Sequence, residues 1–354
     1  QALFRDAAIR YAPSGLATRP SVQFTYDPSF FPANLDASAT NSLLNDYRTR
    51  EVIPAGYLQF ETRLAPRLQA TGGLRYEQTR TRIMSRLDDG RFTVPEARYG
   101  AFKTVESDYA DWFPNLQFRY TPIERLTLRA NLSTTIGRPR MADLVGRFSV
   151  NEVGQVVSFA NPSLLPQKSR NFDLSAEYYF KPAGVLSVGL FRKEINNYVS
   201  ATSFRIIGNE YGYDLTPYAG WTGSTRVNTG DGRVEGIEFN YVQQLAFLPG
   251  RWRGLGTMAN WTVLTSAGDY NGLVPALPFK NYLVGLRPRS GNAGLTYDYG
   301  RWDLRLMWNF ASSYLISLDV SDPSSSEIIG GREQWDFFMR FRLSRPVSVF
   351  LDVI

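Results

Sequence analysis

Residues 68–79 read Leu68-Gln69-Ala70-Thr71-Gly72-Gly73-Leu74-Arg75-Tyr76-Glu77-Gln78-Thr79. Leu68, Ala70, Gly72, Leu74 and Tyr76 share one face of an extended chain; Gln69, Thr71, Gly73, Arg75, Glu77 and Thr79 share the other. Successive side chains of a strand point to opposite faces, so this is a strand with one apolar and one wet side. Upstream, Leu58 and Phe60 oppose Gln59 and Glu61, and Leu64-Ala65-Pro66 makes a tight link. Downstream the stripe returns at 112–120, 126–132, 172–180, 186–190, 237–241, 255–263, 295–299, 302–310, 335–343 and 347–353. About thirteen strands result, counting a weaker one near residues 1–12. The links alternate between a few residues and twenty or thirty. The long ones are expected after Thr79, at about 137–167, 199–230 and 267–288, and over about twenty residues after Phe310.

That rhythm predicts an all-β fold, an antiparallel up-and-down transmembrane β-barrel with short periplasmic turns and long extracellular loops. Aromatics gather at strand ends, at Tyr76, Trp112, Tyr178-Tyr179, Tyr297 and Trp335, as interfacial girdles would. A soluble sandwich or propeller also alternates. Thirteen strands with such aromatic outer faces would leave it a large exposed apolar surface.

The composition agrees. The 354 residues are 43% hydrophobic and 14% aromatic, yet no apolar run approaches the ~20 residues of a transmembrane helix. Cysteine and histidine are both absent, which excludes disulfides, thiolate metal sites, cysteine nucleophiles and histidine general bases. An enzyme is not expected, nor a metal or cofactor. The net charge is +6, with five lysines against thirty-four arginines. These cations are spread over every segment, so nucleic acid is not an expected partner. Gln1 starts in mid-pattern with no leader, which reads as an internal piece of something longer.

Four stretches carry a resemblance. Residues 161–180, NPSLLPQKSRNFDLSAEYYF, resemble the Asn-Pro-x-Leu-x-Pro-x-x-Ser segment that precedes a strand in TonB-dependent outer-membrane transporters. TTIGRPRMADL (134–144) is similar to the Arg-Pro strand end before it. REVIPAGYLQFETRLAPRLQATGGLRYEQT (50–79) resembles that family's Gly-x-Arg-Tyr-Glu hairpin, and VNTGDGRVEGIEFNY (227–241) its Gly-x-Glu strand opening. The nearest flavour is the large receptor of Xanthomonas and Caulobacter type. The resemblance implies about 22 strands around a plug. Residues 1–354 would then be a single partial barrel, without plug, coupling box, first strands or last strand. It implies the outer membrane of a Gram-negative bacterium, with lipid, the plug, the TonB energy-coupling complex and a small nutrient as partners. The cargo would be an oligosaccharide or a ferric siderophore. A passive porin or structural barrel is the alternative, and a membrane-embedded hydrolase a third reading.

The motif residues Arg138, Pro139, Asn161, Pro162, Leu164, Pro166, Ser169, Gly236 and Glu238 read as structural. Proline fixes φ and denies a ladder donor, which ends pairing and starts a loop. The ligand is expected on the loops. In 199–230, Tyr211, Tyr213, Tyr218 and Trp221 stand among polar groups, with Arg226 close by, and their flat amphipathic rings suit sugar faces or aromatic chelates. Self-packing of an ordered loop explains the same rings equally well. Tyr270 joins them as a candidate. Its neighbourhood, Asp269-Tyr270-Asn271-Gly272, looks like the start of a calcium loop but lacks the later glutamate, and a plain turn is favoured. Gly254-x-Gly256-x-x-Ala259 lies inside an alternating strand and is no dinucleotide fingerprint.

Overall fold

The computed structural model describes residues 9–11, 22–24, 47–86, 102–145, 148–211, 213–268, 283–319 and 323–354. β1 (Ile9–Tyr11) and β2 (Val22–Phe24) form a two-stranded sheet of their own. The weak strand expected near residues 1–12 therefore does not join the main wall. The wall starts with β3 (Tyr47–Val52) and β4 (Ala55–Ala65), which both pair with β5 (Leu68–Arg86). β3 covers Arg80–Ser85 and β4 covers Leu68–Glu77, so the two fill one strand position. The break falls at Ile53-Pro54, because proline has no N–H for the ladder. The Pro54 carbonyl still accepts from the Gln78 N–H at 3.0 Å.

β6 (Phe102–Ile123) and β7 (Leu126–Gly137) follow. The chain then leaves the wall through a four-residue helix, α1 (Met141–Leu144), and strands β8 (Phe148–Asn151) and β9 (Val156–Phe159). β10 (Gln167–Tyr179) and β11 (Gly184–Asn196) return to it. β12 (Val199–Arg205), β13 (Asn209–Glu210), β14 (Tyr213–Asp214) and β15 (Thr222–Asn228) depart again. β16 (Gly232–Gln244), β17 (Leu255–Gly268), β18 (Arg289–Tyr299) and β19 (Trp302–Ala311) add four wall strands. After β20 (Tyr314–Asp319) and β21 (Glu327–Ile329), the wall takes β22 (Arg332–Arg342) and β23 (Ser348–Val353).

The main sheet has thirteen strands in the order β23-β22-β19-β18-β17-β16-β11-β10-β7-β6-β5, with β3 and β4 beyond β5. Every neighbouring pair is antiparallel, and β23 at one edge and β3 with β4 at the other have wall partners on one side only. The wall is the up-and-down sheet that the alternation predicts, left open. Its stripes are in register: Leu74 faces Leu58 and Pro114, and Leu174 faces Ala130 and Leu190. This face stays uncovered, with Leu58 81%, Leu174 55%, Ile237 51% and Leu295 56% exposed. A continuous apolar band of this kind marks a lipid-facing surface.

Aromatics rim the band at both heights. Toward the long connections, Tyr76 meets Trp112 at 4.8 Å, and Trp261 stacks on Trp308 at 5.9 Å and on Phe310 at 5.2 Å. Gly291 makes room for this stack: a Cβ there would lie 2.0 Å from the Trp261 ring. Toward the short turns, Tyr178 meets Phe180 at 5.0 Å and Trp302 meets Phe341 at 4.5 Å. Trp302 and Phe310 lie eight residues apart on β19, about 27 Å along a strand, which suits a bilayer.

Two expectations change. The polar stretch after Thr79 is mostly strand, because β5 reaches Arg86 and β6 starts at Phe102. Thr79, Thr81, Ile83 and Ser85 do alternate and are buried, but on the wet face, where the mostly hydroxyl side chains hid the pattern. β5 therefore has 19 residues where a membrane crossing needs about 9–11, so the wall projects beyond the band. The long connections are also not simple gaps. Three of them weave a second, six-stranded sheet, β21-β20-β12-β15-β9-β8, in which β12–β20 and β15–β9 pair parallel.

Candidate ligand-capture site

This second sheet caps the polar face of the wall at the long-connection end. Two buried apolar clusters fasten it, and a third lies within it. Ile83 of the wall packs against Leu144, Val145 and Leu164. Val234 packs against Leu283, Val284, Leu315 and Leu318. Inside the cap itself, Val157, Phe159, Ile206 and Leu215 form the third cluster. Burial here drives loop segments onto strand ends, where they exclude water from apolar side chains.

The Arg-Pro and Asn-Pro stretches lie at the first of these joints. The Arg138 guanidinium reaches back to β5, donating to Glu77 Oε2 at 2.6 Å and Thr79 Oγ1 at 2.9 Å. Pro139, Pro162, Leu164 and Pro166 pack around it with Tyr109, leaving a space of about 30 Å³. That admits a water and no nutrient. Asn161 donates through Nδ2 to the Arg226 carbonyl at 2.9 Å and accepts the Ser163 N–H on Oδ1 at 3.0 Å. Ser169 lies on the polar face of β10, 3.0 Å from the Thr135 hydroxyl. Gly236 sits where a Cβ would come 2.5 Å from the Val263 carbonyl and 2.8 Å from the Phe191 ring, so the backbones approach closely there. Glu238 is exposed on the polar face, opposite Gly189 and Thr262.

The structure brings Tyr211, Tyr213, Tyr218 and Trp221 together in the cap. Tyr213 lies 5.1 Å from Phe159, Tyr211 5.6 Å from Phe204, and Tyr218 5.4 Å from Trp221. Tyr213 is largely enclosed, and burial pushes its hydroxyl pKa up to about 12. Tyr211 keeps an exposed edge and holds a left-handed backbone at φ 54. Arg226 does not join the rings; its guanidinium faces the Asp143 carboxylate at 3.5 Å. Tyr270 lies outside the described residues, as does Asp269-Tyr270-Asn271-Gly272.

Residue types alone did not single out Asp143, Asn228 or Glu210. Asp143 is buried and accepts from Arg140 at 2.9 Å as well as facing Arg226, which raises the Arg140 pKa. Asn228 accepts the Leu165 N–H at 2.9 Å and donates to the Leu165 carbonyl at 3.0 Å, stitching two connections together. The signal for Asn228 was its place in the quoted VNTG segment. Glu210 caps the N–H groups of Ile207 and Gly208 at 2.9 and 3.0 Å.

Below the cap the polar face carries paired charges and amides. Charges pair on both sides of the wall: Arg75 meets Glu77 at 2.5 Å and Arg129 meets Glu177 on the β5–β10 side, and Asp303 of β19 faces Arg305 and Arg340. On the β16–β22 side a level row of uncharged amides runs through Asn240, Asn260, Asn292, Asn309 and Gln334. Among the described residues there is no cluster of three metal-ligating side chains, and no helix long and apolar enough to cross a membrane.

No curated protein matches the chain in sequence. Solved structures match in fold. A ferric citrate transporter, FecA, in its unliganded form, has a TM-score of 0.59 at 18% identity over 95% of this chain and 42% of its own. The siderophore receptor PiuA from Acinetobacter baumannii has 0.59 at 14%, over 87% and 39%. The ferric yersiniabactin uptake receptor FyuA from Yersinia pestis has 0.57 at 13%, over 86% and 41%. The chain thus spans about two-fifths of the length of each. These likenesses do not bear on the expected closeness to Xanthomonas and Caulobacter receptors. These likenesses show a shared fold. The family profile for TonB dependent receptor-like β-barrels matches residues 6–354, and the chain belongs to that family.

Proposed function

We propose that this chain is the wall and outer cap of an outer-membrane receptor for active uptake of a scarce nutrient. The family consists of transporters, not enzymes. The observation that carries the reading is the cap: three long connections close together over one end of the polar face. A passive pore gains nothing from such a cover; a receptor needs it to hold a dilute ligand. The polar face below gives a route lined by paired charges and amides, and a plug would fill it at rest. Residues 1–354 form one partial barrel domain in this reading.

Ligand contact falls to Tyr211, whose ring edge is exposed, with Tyr270 as a second candidate. Tyr213, Tyr218 and Trp221 shape the surface that carries Tyr211, and Arg226 ties it down through Asp143. Arg138, Pro139, Asn161, Pro162, Leu164 and Pro166 lie at the joint of cap and wall, and Ser169, Gly236 and Glu238 belong to the wall itself. The siderophore and metal receptors that share the fold make a ferric chelate the first cargo to test, with an oligosaccharide second.

The test is uptake of labelled ferric chelate and of labelled oligosaccharide by cells producing the full-length receptor. Saturable uptake of one, abolished when the inner-membrane proton gradient is collapsed, is the expected result. Uptake that survives the collapse identifies a passive pore and overturns the reading.

A further inference from the structure

We propose that the short-turn rim of the wall docks anionic phospholipid headgroups, an inference that rests on the receptor reading above. The six short connections are 66–67, 124–125, 180–183, 245–254, 300–301 and 343–347. Each carries a cation: Arg67, Arg125, Lys181, Arg251, Arg301 and Arg345, with Arg253 beside Arg251. Glu124 is the single carboxylate among them. All but Arg125 are exposed, and among the described residues none of the seven forms an ion pair. The long connections, by contrast, mix signs, and their cations Arg138, Arg140 and Arg226 face carboxylates.

The rim also carries exposed rings. Phe247 and Trp252 protrude from the longest turn, with the Arg251 guanidinium 5.7 Å from the Trp252 ring centre. Arg253 lies 5.4 Å from the Tyr299 ring centre, and Trp302 is exposed one turn along. Such rings settle at the headgroup level of a bilayer. Cations one step beyond them stand at the height of the lipid phosphates. Arginine presents a planar fork that meets phosphate bidentately, and a positive rim attracts a negative leaflet over about a Debye length. The chemistry therefore selects a phosphodiester with net negative charge, of the phosphatidylglycerol type, over a zwitterionic one.

The experiment offers the detergent-extracted full-length protein equal amounts of phosphatidylglycerol and phosphatidylcholine and counts retained lipid by native mass spectrometry. Expected is a preference for phosphatidylglycerol of about fivefold or more, the yield of a single such contact. The preference is lost in the combined variant R67Q, R251Q, R253Q, R301Q and R345Q. It survives in the matching lysine variant, which also shows that the rim still folds, and in R80Q with R82Q at the other end. Equal retention of both lipids, or a preference unchanged by the glutamine variant, overturns the proposal. So does retention of polyglutamate in place of lipid, which identifies a protein-docking rim. If the protein inserts into vesicles and retains both lipids equally, the lipid inference alone fails. If protease digests the wall in vesicles of either lipid, the receptor reading fails with it.

Discussion

The wall and the cap are both β-sheet, yet they are built by opposite rules. Wall strands mostly pair with their neighbours in sequence, antiparallel, and expose apolar side chains on one side. Cap strands come from different connections: Thr202 lies beside Leu318 and Gly223 beside Val157, in parallel pairs. They bury apolar side chains against the wet face of the wall. The wall draws its outer stability from lipid, and the cap from water exclusion and a few buried polar ties. In the proposed function, membrane placement falls to the wall and ligand capture to the cap.

That separation can be broken most forcefully at the apolar band. Leu174→Arg puts a charge in mid-band and should cost about 2–4 kcal/mol of folding stability in lipid vesicles. The same charge at Val153, 99% exposed in the cap, should cost nothing measurable. Denaturant titration in vesicles reads both, and equal costs would abolish the distinction between lipid face and water face.

The cap should fail on its own terms. Asp143→Ala leaves Arg140 without its buried acceptor and removes the partner of Arg226, costing about 1–3 kcal/mol locally. Amide exchange should speed up in 138–166 and 197–231 while Leu126–Gly137 stays protected. Faster exchange in the wall as well would mean that the two sheets open together.

Alkali should also separate them. Tyr213 has its hydroxyl pKa raised to about 12 by burial, so the folded cap favours the protonated form. Its contribution is complete below the unfolded value near 10 and is lost as pH rises toward 12. Tyrosinate absorbance should show a late-titrating group, and Tyr213→Phe should remove that step. The smallest effect is expected on the projecting part of the wall. Arg82 meets Glu106 at 3.3 Å with both side chains exposed, and Arg82→Ala should change stability by less than about 1 kcal/mol.

The wall was legible because alternation is a local signal. Leu68 to Tyr76 could be read without any partner strand, and the partners then fell into register on the same face. Reading stopped at Thr79, because Thr81 and Ser85 look like loop residues until Leu144 and Leu164 are seen covering their side. The stripe upstream of Leu64 is legible only at Leu58 and Phe60, so β3 on the far side of Pro54 goes unseen. In the cap the aromatic residues were visible, but their neighbours were not. Nothing near Tyr213 in sequence says that Phe148 and Phe159 surround it. Asp143 reads as an ordinary acid in a loop until Arg226 arrives from eighty residues downstream.

The sequence by itself determined the strand pattern, the apolar and wet faces, the short and long ends, and the exclusion of cysteine and histidine chemistry. These follow from period-two geometry and residue inventory, which need no knowledge of the fold. Only the tertiary structure decided that three of the long connections form one cap, that β3 and β4 share a position, and that Tyr211 is left with an exposed edge while Tyr213 is enclosed. Those outcomes depend on contacts between distant segments, where burial and buried ion pairs are settled by what arrives from elsewhere in the chain.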